Sequence, residues 1–231
     1  MGSNWKISDE SWVEFRRLLS ELETVFAVAP GTFVGRDEAF RRAIDAFIPA
    51  FLAVNEEINL TAIREPEEVL WKHFFDSLLL LKLRPQGLLL DWGSGGGFPG
   101  IPVVFFRKFI EQQETPVILL DGRAKKMNAV RSVLAPLGEF AVDFVHARGE
   151  DFILENRVAA VVMRAVAAPK DILPWTSPKV SDWFFFASKG QQGEWMKIEP
   201  LLAKRGFKLR HVLEETLPKG YGERKILHFS A

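Results

Sequence analysis

The sequence contains no cysteine among its 231 residues. This absence excludes disulfide bonds, thiolate zinc sites and every mechanism that needs a cysteine nucleophile. Long apolar runs are missing as well, and without a stretch of about 18 apolar residues we expect no membrane-spanning helix. The first residues lack the basic and apolar blocks of a signal peptide, so we expect a cytoplasmic protein.

An excess of charge of either sign is also missing, since 30 Lys and Arg residues balance 30 Asp and Glu residues. Total charge therefore gives no support to a nucleic-acid partner, which would need a local basic surface. The four histidines show no metal-ligand spacing, and we expect no bound metal. What is present is an ordinary globular composition, 48% hydrophobic and 26% charged, in a chain long enough to bury a full core.

Two regions with different patterns follow each other along the chain. Residues 1–85 are predicted to be helical, because apolar residues recur at helical spacing in three stretches. Pro66 begins the third stretch, since proline is tolerated in the first turn of a helix. We expect this N-terminal helical segment to pack on an α/β domain formed by residues 86–231.

Seven short apolar runs in the second region predict β-strands, at residues 88–90, 117–120, 140–145, 158–163, 183–187, 207–213 and 224–229. Helical stretches separate the first five runs, and runs apolar on both faces indicate a parallel sheet covered on two sides. A turn rich in glycine and proline, without a helix, joins the last two. We therefore predict an α/β fold with a Rossmann-like, seven-stranded, mostly parallel sheet that ends in an antiparallel C-terminal hairpin.

A glycine-rich loop follows the first predicted strand, at the carboxyl end where open α/β sheets bind ligands. Gly95, Gly97 and Gly100 fit the spacing of a dinucleotide fingerprint. Gly93, Gly95 and Gly97 instead fit the glycines of the Asp-x-Gly-x-Gly-x-Gly pattern found in S-adenosylmethionine sites. Asp91 supplies the acid of that pattern and favours it, because a carboxylate can receive the methionine ammonium but would repel a pyrophosphate.

Three further positions follow the ends of predicted strands. Asp121 ends the second strand and could hold both ribose hydroxyls of either cofactor, or cap the next helix. Gly149 and Glu150 follow the third strand, where they would flank an adenine or simply start a helix. Arg164 ends the fourth strand, where it would be a poor base but a good partner for phosphate or a guanine edge, or would form a surface salt bridge.

The missing residues also narrow the reaction. Covalent methylation of a pyrimidine C5 atom needs a cysteine, and methylation of exocyclic amines usually needs an Asn/Asp-Pro-Pro-aromatic turn after the fourth strand; neither is present. Guanine N7 has a free lone pair, and no proton has to leave it. Such a reaction needs chiefly proximity, orientation and exclusion of water, and it fits a site without an obvious general base.

Together these motifs resemble the RsmG family, also called GidB, of bacterial ribosomal RNA small subunit methyltransferases. The resemblance runs from about Asn59 to Lys225 and is most specific in the glycine loop with its Phe-Pro-Gly-Ile-Pro extension. It implies a class I methyltransferase that transfers a methyl group from S-adenosylmethionine to N7 of one guanine in 16S ribosomal RNA. The other positions that carry the resemblance are 59–64, 71–73, 76–77, 121, 125–126, 148–152, 164–165 and 189–190.

The resemblance implies cofactor contacts at Gly93, Phe98, Gly149, Glu150 and Arg164, to which the argument above adds Asp91, Gly95, Gly97 and Asp121. The residues that we expect to contact substrate RNA are Lys125, Lys126, Arg164, Lys189 and Arg224. Arg164 is also the candidate for positioning the substrate, and no catalytic base is expected. We expect a monomer that acts on 16S RNA or the small ribosomal subunit. The alternatives are a small-molecule methyltransferase using the same cofactor and a nicotinamide-dependent oxidoreductase.

Overall fold

The computed structural model describes residues 5–187 and 192–231 of the chain. The α-helices in this part are α1 (Asp9–Phe26), α2 (Asp37–Ile58), α3 (Pro66–Val69), α4 (Asp76–Leu78), α5 (Gly100–Phe106), α6 (Ala124–Leu134), α7 (Gly149–Glu155), α8 (Pro169–Ile172) and α9 (Gln192–Lys204). The strands are β1 (Leu89–Trp92), β2 (Val117–Asp121), β3 (Val142–His146), β4 (Val158–Arg164), β5 (Val180–Ala187), β6 (Lys208–Thr216) and β7 (Glu223–Ser230). Shorter helical turns adjoin several of these helices: π-helical turns at Leu70–Phe75 and Arg107–Glu111 and 3-10 turns at Val34–Arg36, Leu79–Leu83, Ala135–Leu137 and Leu173–Trp175. A further 3-10 turn, Pro218–Gly220, lies between β6 and β7.

The strands form one sheet in the order β3-β2-β1-β4-β5-β7-β6. The first five strands are mutually parallel, and β7 pairs antiparallel with both β5 and β6. The prediction of a mostly parallel, seven-stranded sheet with an antiparallel C-terminal hairpin is therefore confirmed. The register places Trp92 beside both Leu120 and Met163, so the carboxyl ends of β1, β2 and β4 meet at one edge.

Alternate residues of each central strand point into two different cores, as the two-residue period of a strand requires. Leu89 and Val117 belong to the core formed with the N-terminal helices, α5 and α6. Leu90 and Ile118 belong to the opposite core, which α7, α8 and α9 cover. The sheet is thus a layer between two sets of helices, and its parallel strands are buried on both sides.

The helices of residues 9–83 share the first of these cores with the sheet. Their inward stripes include Phe15, Phe47 and Phe74, each of which is fully buried. Phe47 and Phe74 both contact Phe105 of α5, with ring centroids 5.7 and 5.8 Å apart. The N-terminal segment is therefore packed directly on the helix that follows the glycine loop.

Candidate functional site

A cavity of about 480 Å³ lies at the carboxyl edge of the parallel strands. It is lined by residues that directly follow the ends of four strands: Gly93 after β1, Gly122 after β2, Ala147 after β3 and Ala165 after β4. Because parallel strands end at the same edge, residues far apart in sequence converge there. This is the position in which open α/β sheets bind ligands.

The glycine loop forms a tight turn at the mouth of β1. Gly93, Gly95 and Gly97 have φ values of +75°, +55° and +90°, a region that side chains with a β-carbon rarely adopt. A β-carbon at Gly93 would lie 2.7 Å from Val166, and one at Gly97 would lie 2.4 Å from Ile101. Glycine is required at both positions for conformation and for space.

Asp91 is buried beneath this loop. Its Oδ2 accepts a hydrogen bond of 2.8 Å from the backbone N–H of Gly100, the first residue of α5. Its Oδ1 is buried and has no hydrogen-bond partner among the described residues. Burial raises the pKa of Asp91 to about 7, although the Gly100 N–H and the nearby Arg164 act to lower it. One oxygen therefore stabilises the start of α5, and the other is left for a donor that the described protein does not supply.

Asp121 lies at the end of β2 and borders the cavity. Its Oδ2 accepts from the Gly95 N–H at 3.0 Å, and its Oδ1 accepts from the Arg123 N–H at 2.9 Å. The Arg123 guanidinium donates to both oxygens, at 3.0 and 3.1 Å. Burial acts to raise the pKa of Asp121, but these hydrogen bonds outweigh it and hold the pKa below its usual value. The carboxylate is thus ionised and fixes the glycine loop, while Arg123 covers it.

Two tryptophans form an aromatic wall of the cavity. Trp92, the last residue of β1, stacks on Trp175 with ring centroids 5.3 Å apart and planes inclined by 23°. Gly149 lies against the Trp92 indole so closely that a β-carbon there would be 1.8 Å from Cε2. Glu150 follows and also lines the cavity. Trp175 could not be predicted as part of this site, because no motif or spacing in the sequence connects it with β1.

Behind the glycine loop lies a buried cluster of charged and polar side chains. Asp76 is fully buried and accepts a 2.6 Å hydrogen bond at Oδ1 from Arg224 Nε. Its Oδ2 is 3.3 Å from Arg164 Nη2, which donates to the Lys72 carbonyl at 2.8 Å. Arg164 Nη1 is buried without a partner among the described residues. The cluster joins the N-terminal helices to the end of β4 and the start of β7.

His73 completes this buried cluster. Burial, and to a smaller extent the positive charge of Arg164, lowers the pKa of His73 to about 3. Nδ1 of the neutral ring lies 3.1 Å from both Arg164 Nη2 and the Lys72 carbonyl oxygen, and Nε2 lies 2.9 Å from Thr61 Oγ1. The ring also stacks on Phe98, with centroids 4.4 Å apart. Scattered histidines gave no sign of this role, although a histidine and an aspartate within an apolar helical stripe could have suggested one.

The loop between α2 and α3 lies directly over the glycine loop. Asn55, fully buried, donates from Nδ2 to the carbonyls of Thr61 and Ile63 at 3.1 and 3.0 Å and accepts the Thr61 N–H at 2.8 Å. A β-carbon at Gly96 would lie 3.5 Å from Leu60. The segment 59–64, noted in the sequence only as part of a resemblance, is therefore held rigidly beside the candidate site.

The residues predicted to contact RNA are placed in different surroundings. Lys125 is exposed on α6, and Lys126 beside it lies with Nζ 3.5 Å from the Leu60 carbonyl. Arg164 and Arg224 are engaged with Asp76. Lys189 lies outside the described residues.

The predicted cofactor residues fall into two groups in the structure. Gly93, Asp121, Gly149 and Glu150 line the cavity itself. The others stand behind it, in the glycine loop or the buried cluster: Asp91, Gly95, Gly97, Phe98 and Arg164.

Two other kinds of feature are absent from the described residues. No helix in residues 5–187 or 192–231 is long and apolar enough to cross a membrane. Within the same ranges, no three or more His, Asp or Glu side chains are grouped so that they could hold a metal ion.

Comparison with known proteins identifies the family. Residues 41–226 match the GidB family, described as rRNA small subunit methyltransferase G. The enzyme of that name from Desulfitobacterium hafniense (strain Y51) is 37% identical over 165 residues, covering 68% of this chain and 67% of that protein. The one from Actinobacillus succinogenes (strain 130Z) is 32% identical over 174 residues, covering 75% and 79%.

The structural comparison supports the fold. Ribosomal protein L11 methylase from Lactobacillus delbrueckii subsp. bulgaricus superposes with a TM-score of 0.51 at 17% identity, covering 69% of this chain and 78% of that one. At that identity the likeness shows the Rossmann-like methyltransferase fold alone. The family match and the curated relatives carry the assignment further: the chain belongs to the GidB family of ribosomal RNA small subunit methyltransferases G.

Proposed function

We propose that this protein transfers a methyl group from S-adenosylmethionine to N7 of a specific guanine in the 16S RNA of the small ribosomal subunit. The observation that carries the proposal is the cavity at the carboxyl edge of the sheet, where a glycine turn, the Asp121 carboxylate and the Gly149 backbone converge. Family membership supplies the reaction class and the substrate class.

The residues present fit this cofactor. Among the described residues, one buried oxygen of Asp91 has no hydrogen-bond partner, which suits an ammonium group, and one buried Nη1 group of Arg164 has none, which suits a carboxylate. Asp121 would receive the ribose hydroxyls. Gly149, Glu150 and the indoles of Trp92 and Trp175 would surround the adenine. Gly93, Gly95, Gly97 and Phe98 would shape the turn that holds the methionine end.

When bound, the cofactor supplies an electrophilic methyl group on a positively charged sulfur. The protein then has to present N7 in line with that methyl group and exclude water. The N7 lone pair needs no deprotonation. The neutral ring of His73 fits this requirement, because a pKa of about 3 leaves it unprotonated near pH 7. Its part in the reaction is to hold Arg164 in place.

The RNA would approach along the basic rim beside the cavity. Lys125 and Lys126 on α6 would contact phosphates, with Lys189 as a further predicted contact. Arg164 and Arg224 would act differently, since Asp76 already holds both guanidinium groups. Arg164 would position the guanine or the cofactor and contribute little to phosphate binding.

Transfer of labelled methyl tests the proposal. Purified protein and S-adenosylmethionine labelled at the methyl group are incubated with small subunits from cells that lack the modification, and the labelled position is mapped. We expect one N7-methylguanine in 16S RNA and no labelling of subunits that already carry it. Asp121→Ala should lose the transfer, whereas Arg210→Ala on exposed β6 should keep it. Labelling of a small molecule alone would support the alternative methyltransferase.

A further inference from the structure

The stacking order of the aromatic wall decides which ring face a ligand can reach. An ideal β-carbon on Gly149 would lie 1.8, 2.0 and 2.4 Å from Cε2, Nε1 and Cδ2 of Trp92. A point so close to all three atoms stands over the face of the indole, since a point beside its edge would be far from at least one of them. The Gly149 backbone therefore covers the centre of one face of Trp92, and the stacked ring of Trp175 covers the other. Trp92 is 4% exposed and has no face left for a ligand.

Trp175 differs from Trp92 in this respect. It is half-buried, it lines the cavity, and it stacks on no second ring within the described part of the chain. The face of Trp175 that is turned away from Trp92 is its outer face, and this face is open to a planar group in the cavity. Flat aromatic surfaces of this kind bind nucleobases by stacking, whatever the base.

The adenine of the cofactor would not fill this outer face. Gly149, which the proposed function places beside the adenine, lies on the opposite side of Trp92 from Trp175. A base stacked on the outer face of Trp175 would have its centroid roughly 10 Å from that of Trp92. An adenine in contact with Gly149 would therefore meet the aromatic wall at the edges of its two rings. The outer face of Trp175 remains for a second base.

Trp175 shares the cavity with the turn that follows β4. Ala165 and Val166 belong to that turn, and Val166 lies 2.7 Å from the place that a β-carbon on Gly93 would take. The proposed function places the methionine end of the cofactor at the glycine loop that contains Gly93. A base held on Trp175 would therefore share one cavity with the methyl group that it is to receive.

Methylation at N7 changes the charge of a guanine. The N7 lone pair forms the new C–N bond, the electron pair of the broken S–C bond stays on sulfur, and no proton is released. The positive charge therefore moves from the sulfur to the purine ring. The electron-rich face of an indole attracts a cation, and the attraction is stronger where water is excluded. A tryptophan under the guanine would thus bind the transition state more tightly than the neutral substrate, which is the condition for raising kcat.

We propose that the outer face of Trp175 holds the target guanine and stabilises the positive charge that the ring acquires as N7 is methylated. This inference rests on the proposed function and adds to it the side chain that contacts the reacting base. Trp175 is then a catalytic residue, and Trp92 supports its ring from behind. The role needs no general base, in keeping with a lone pair that is already free.

Binding of the methylated nucleoside tests the proposal without methyl transfer. The full chain, saturated with S-adenosylhomocysteine, is titrated with 7-methylguanosine and with guanosine at a pH at which the methylated ring keeps its positive charge. We expect 7-methylguanosine to bind about tenfold more tightly and to quench tryptophan fluorescence. Trp175→Leu should lose both the preference and the quenching, and Trp175→Phe should keep part of the preference. Trp5→Leu is the matched control and should behave as the unaltered chain does, because Trp5 is also half-buried but does not line the cavity.

Two further measurements on Trp175→Leu separate the guanine from the adenine. Affinity for S-adenosylhomocysteine should stay within about twofold, which also verifies the fold, whereas the single-turnover rate of methyl transfer to small subunits should fall about tenfold or more. A comparable loss of affinity for S-adenosylhomocysteine would assign Trp175 to the adenine and overturn the proposal. Equal affinity of the unaltered chain for 7-methylguanosine and guanosine would overturn it as well.

These results are distinguishable from a failure of the proposed function. If the unaltered chain neither binds S-adenosylhomocysteine nor labels 16S RNA, the proposed function is wrong and the role of Trp175 falls with it. If the unaltered chain does both, and Trp175→Leu transfers the methyl group as fast as Trp5→Leu, only the assignment of the guanine to Trp175 is overturned.

Discussion

The indole of Trp92 occupies the space that any side chain at residue 149 would need. An ideal β-carbon built on Gly149 would lie 1.8 Å from Cε2 of that indole. Gly149 is the first residue of α7 and has no positive φ, so its backbone conformation does not require glycine. Close packing against Trp92 is therefore what requires glycine at position 149. The size of one residue at the end of β1 thus determines the residue type after β3.

This relationship predicts a compensating pair. Gly149→Ala should lower the free energy of unfolding by about 1–3 kcal/mol, because the methyl group forces the indole to move. In a Trp92→Leu background the same change should be neutral or stabilising, since alanine is the better helix former. Chemical denaturation of the four proteins gives the coupling energy. Equal destabilisation by Gly149→Ala in both backgrounds would show that Trp92 is not the obstacle.

Asp91 should make cofactor binding depend on pH. With a pKa of about 7, raised mainly by burial, the carboxyl is largely protonated at pH 6 and ionised at pH 8. Only the ionised form attracts an ammonium group, so affinity for S-adenosylhomocysteine should rise between these pH values by up to about tenfold per unit below the pKa. Calorimetry at several pH values measures the slope. Asp91→Asn should bind weakly at every pH, and a retained slope in this variant would assign the titration to another group.

The same residue should have the opposite effect on stability. The folded pKa is raised above the unfolded value near 3.8, so the stabilising contribution is present at low pH and declines as pH rises toward 7. Asp91→Asn should therefore gain stability relative to the unaltered chain on going from pH 5 to pH 8. Denaturation curves at these two pH values measure the change.

Much of the fold could be predicted from sequence because the parallel strands are buried on both faces. Runs such as 117–120 and 158–163 have no polar interruption, and each lies inside an observed strand. The end of the amphipathic strand β6 is harder to predict. The apolar run ends at residue 213, whereas the strand continues to Thr216. Its outer positions are polar, so apolar content does not mark its end.

The candidate site could be predicted only where local sequence determines geometry. The glycine loop and Asp121 follow strands directly, and their positions come from the order of the chain. The cluster of His73, Asp76, Arg164 and Arg224 depends on contacts across as many as 148 residues of sequence separation. The burial and the ion pairs of these side chains decide their pKa values and their contacts. Both arise from tertiary packing, which local sequence does not reveal.

His73 should contribute to acid sensitivity. Its folded pKa of about 3 lies below the unfolded value of 6.5, chiefly because of burial. As pH falls below 6.5 the unfolded chain takes up a proton that the folded chain rejects, so folding loses about 1.4 kcal/mol per pH unit from this group. In His73→Gln that loss should vanish, and the difference in unfolding free energy between the two proteins should change with pH. Chemical denaturation at pH 7.5, 6.5 and 5.5 measures this difference in unfolding free energy. If the difference stays constant with pH, the imidazole lies in a more polar setting than the structure shows.

Arg123 should compete with the cofactor for Asp121. Its guanidinium donates to both carboxylate oxygens, at 3.0 and 3.1 Å, and ribose hydroxyls would need the same lone pairs. Arg123→Ala removes the competitor, while Asp121 keeps its hydrogen bonds from the Gly95 and Arg123 backbone N–H groups. S-adenosylhomocysteine should therefore bind a few-fold more tightly, a modest gain because the arginine side chain is 61% exposed and its ion pair is screened by solvent.

Calorimetry of Arg123→Ala beside Arg148→Ala tests this competition. Arg148 is the matched control: it lines the same cavity, is 79% exposed, and lies 3.9 Å from the different carboxylate of Glu150. Its removal should leave the affinity close to that of the unaltered chain. Weaker binding by Arg123→Ala would reverse the interpretation, because the arginine would then orient Asp121 for the ribose and its ion pair would persist when the ligand is bound.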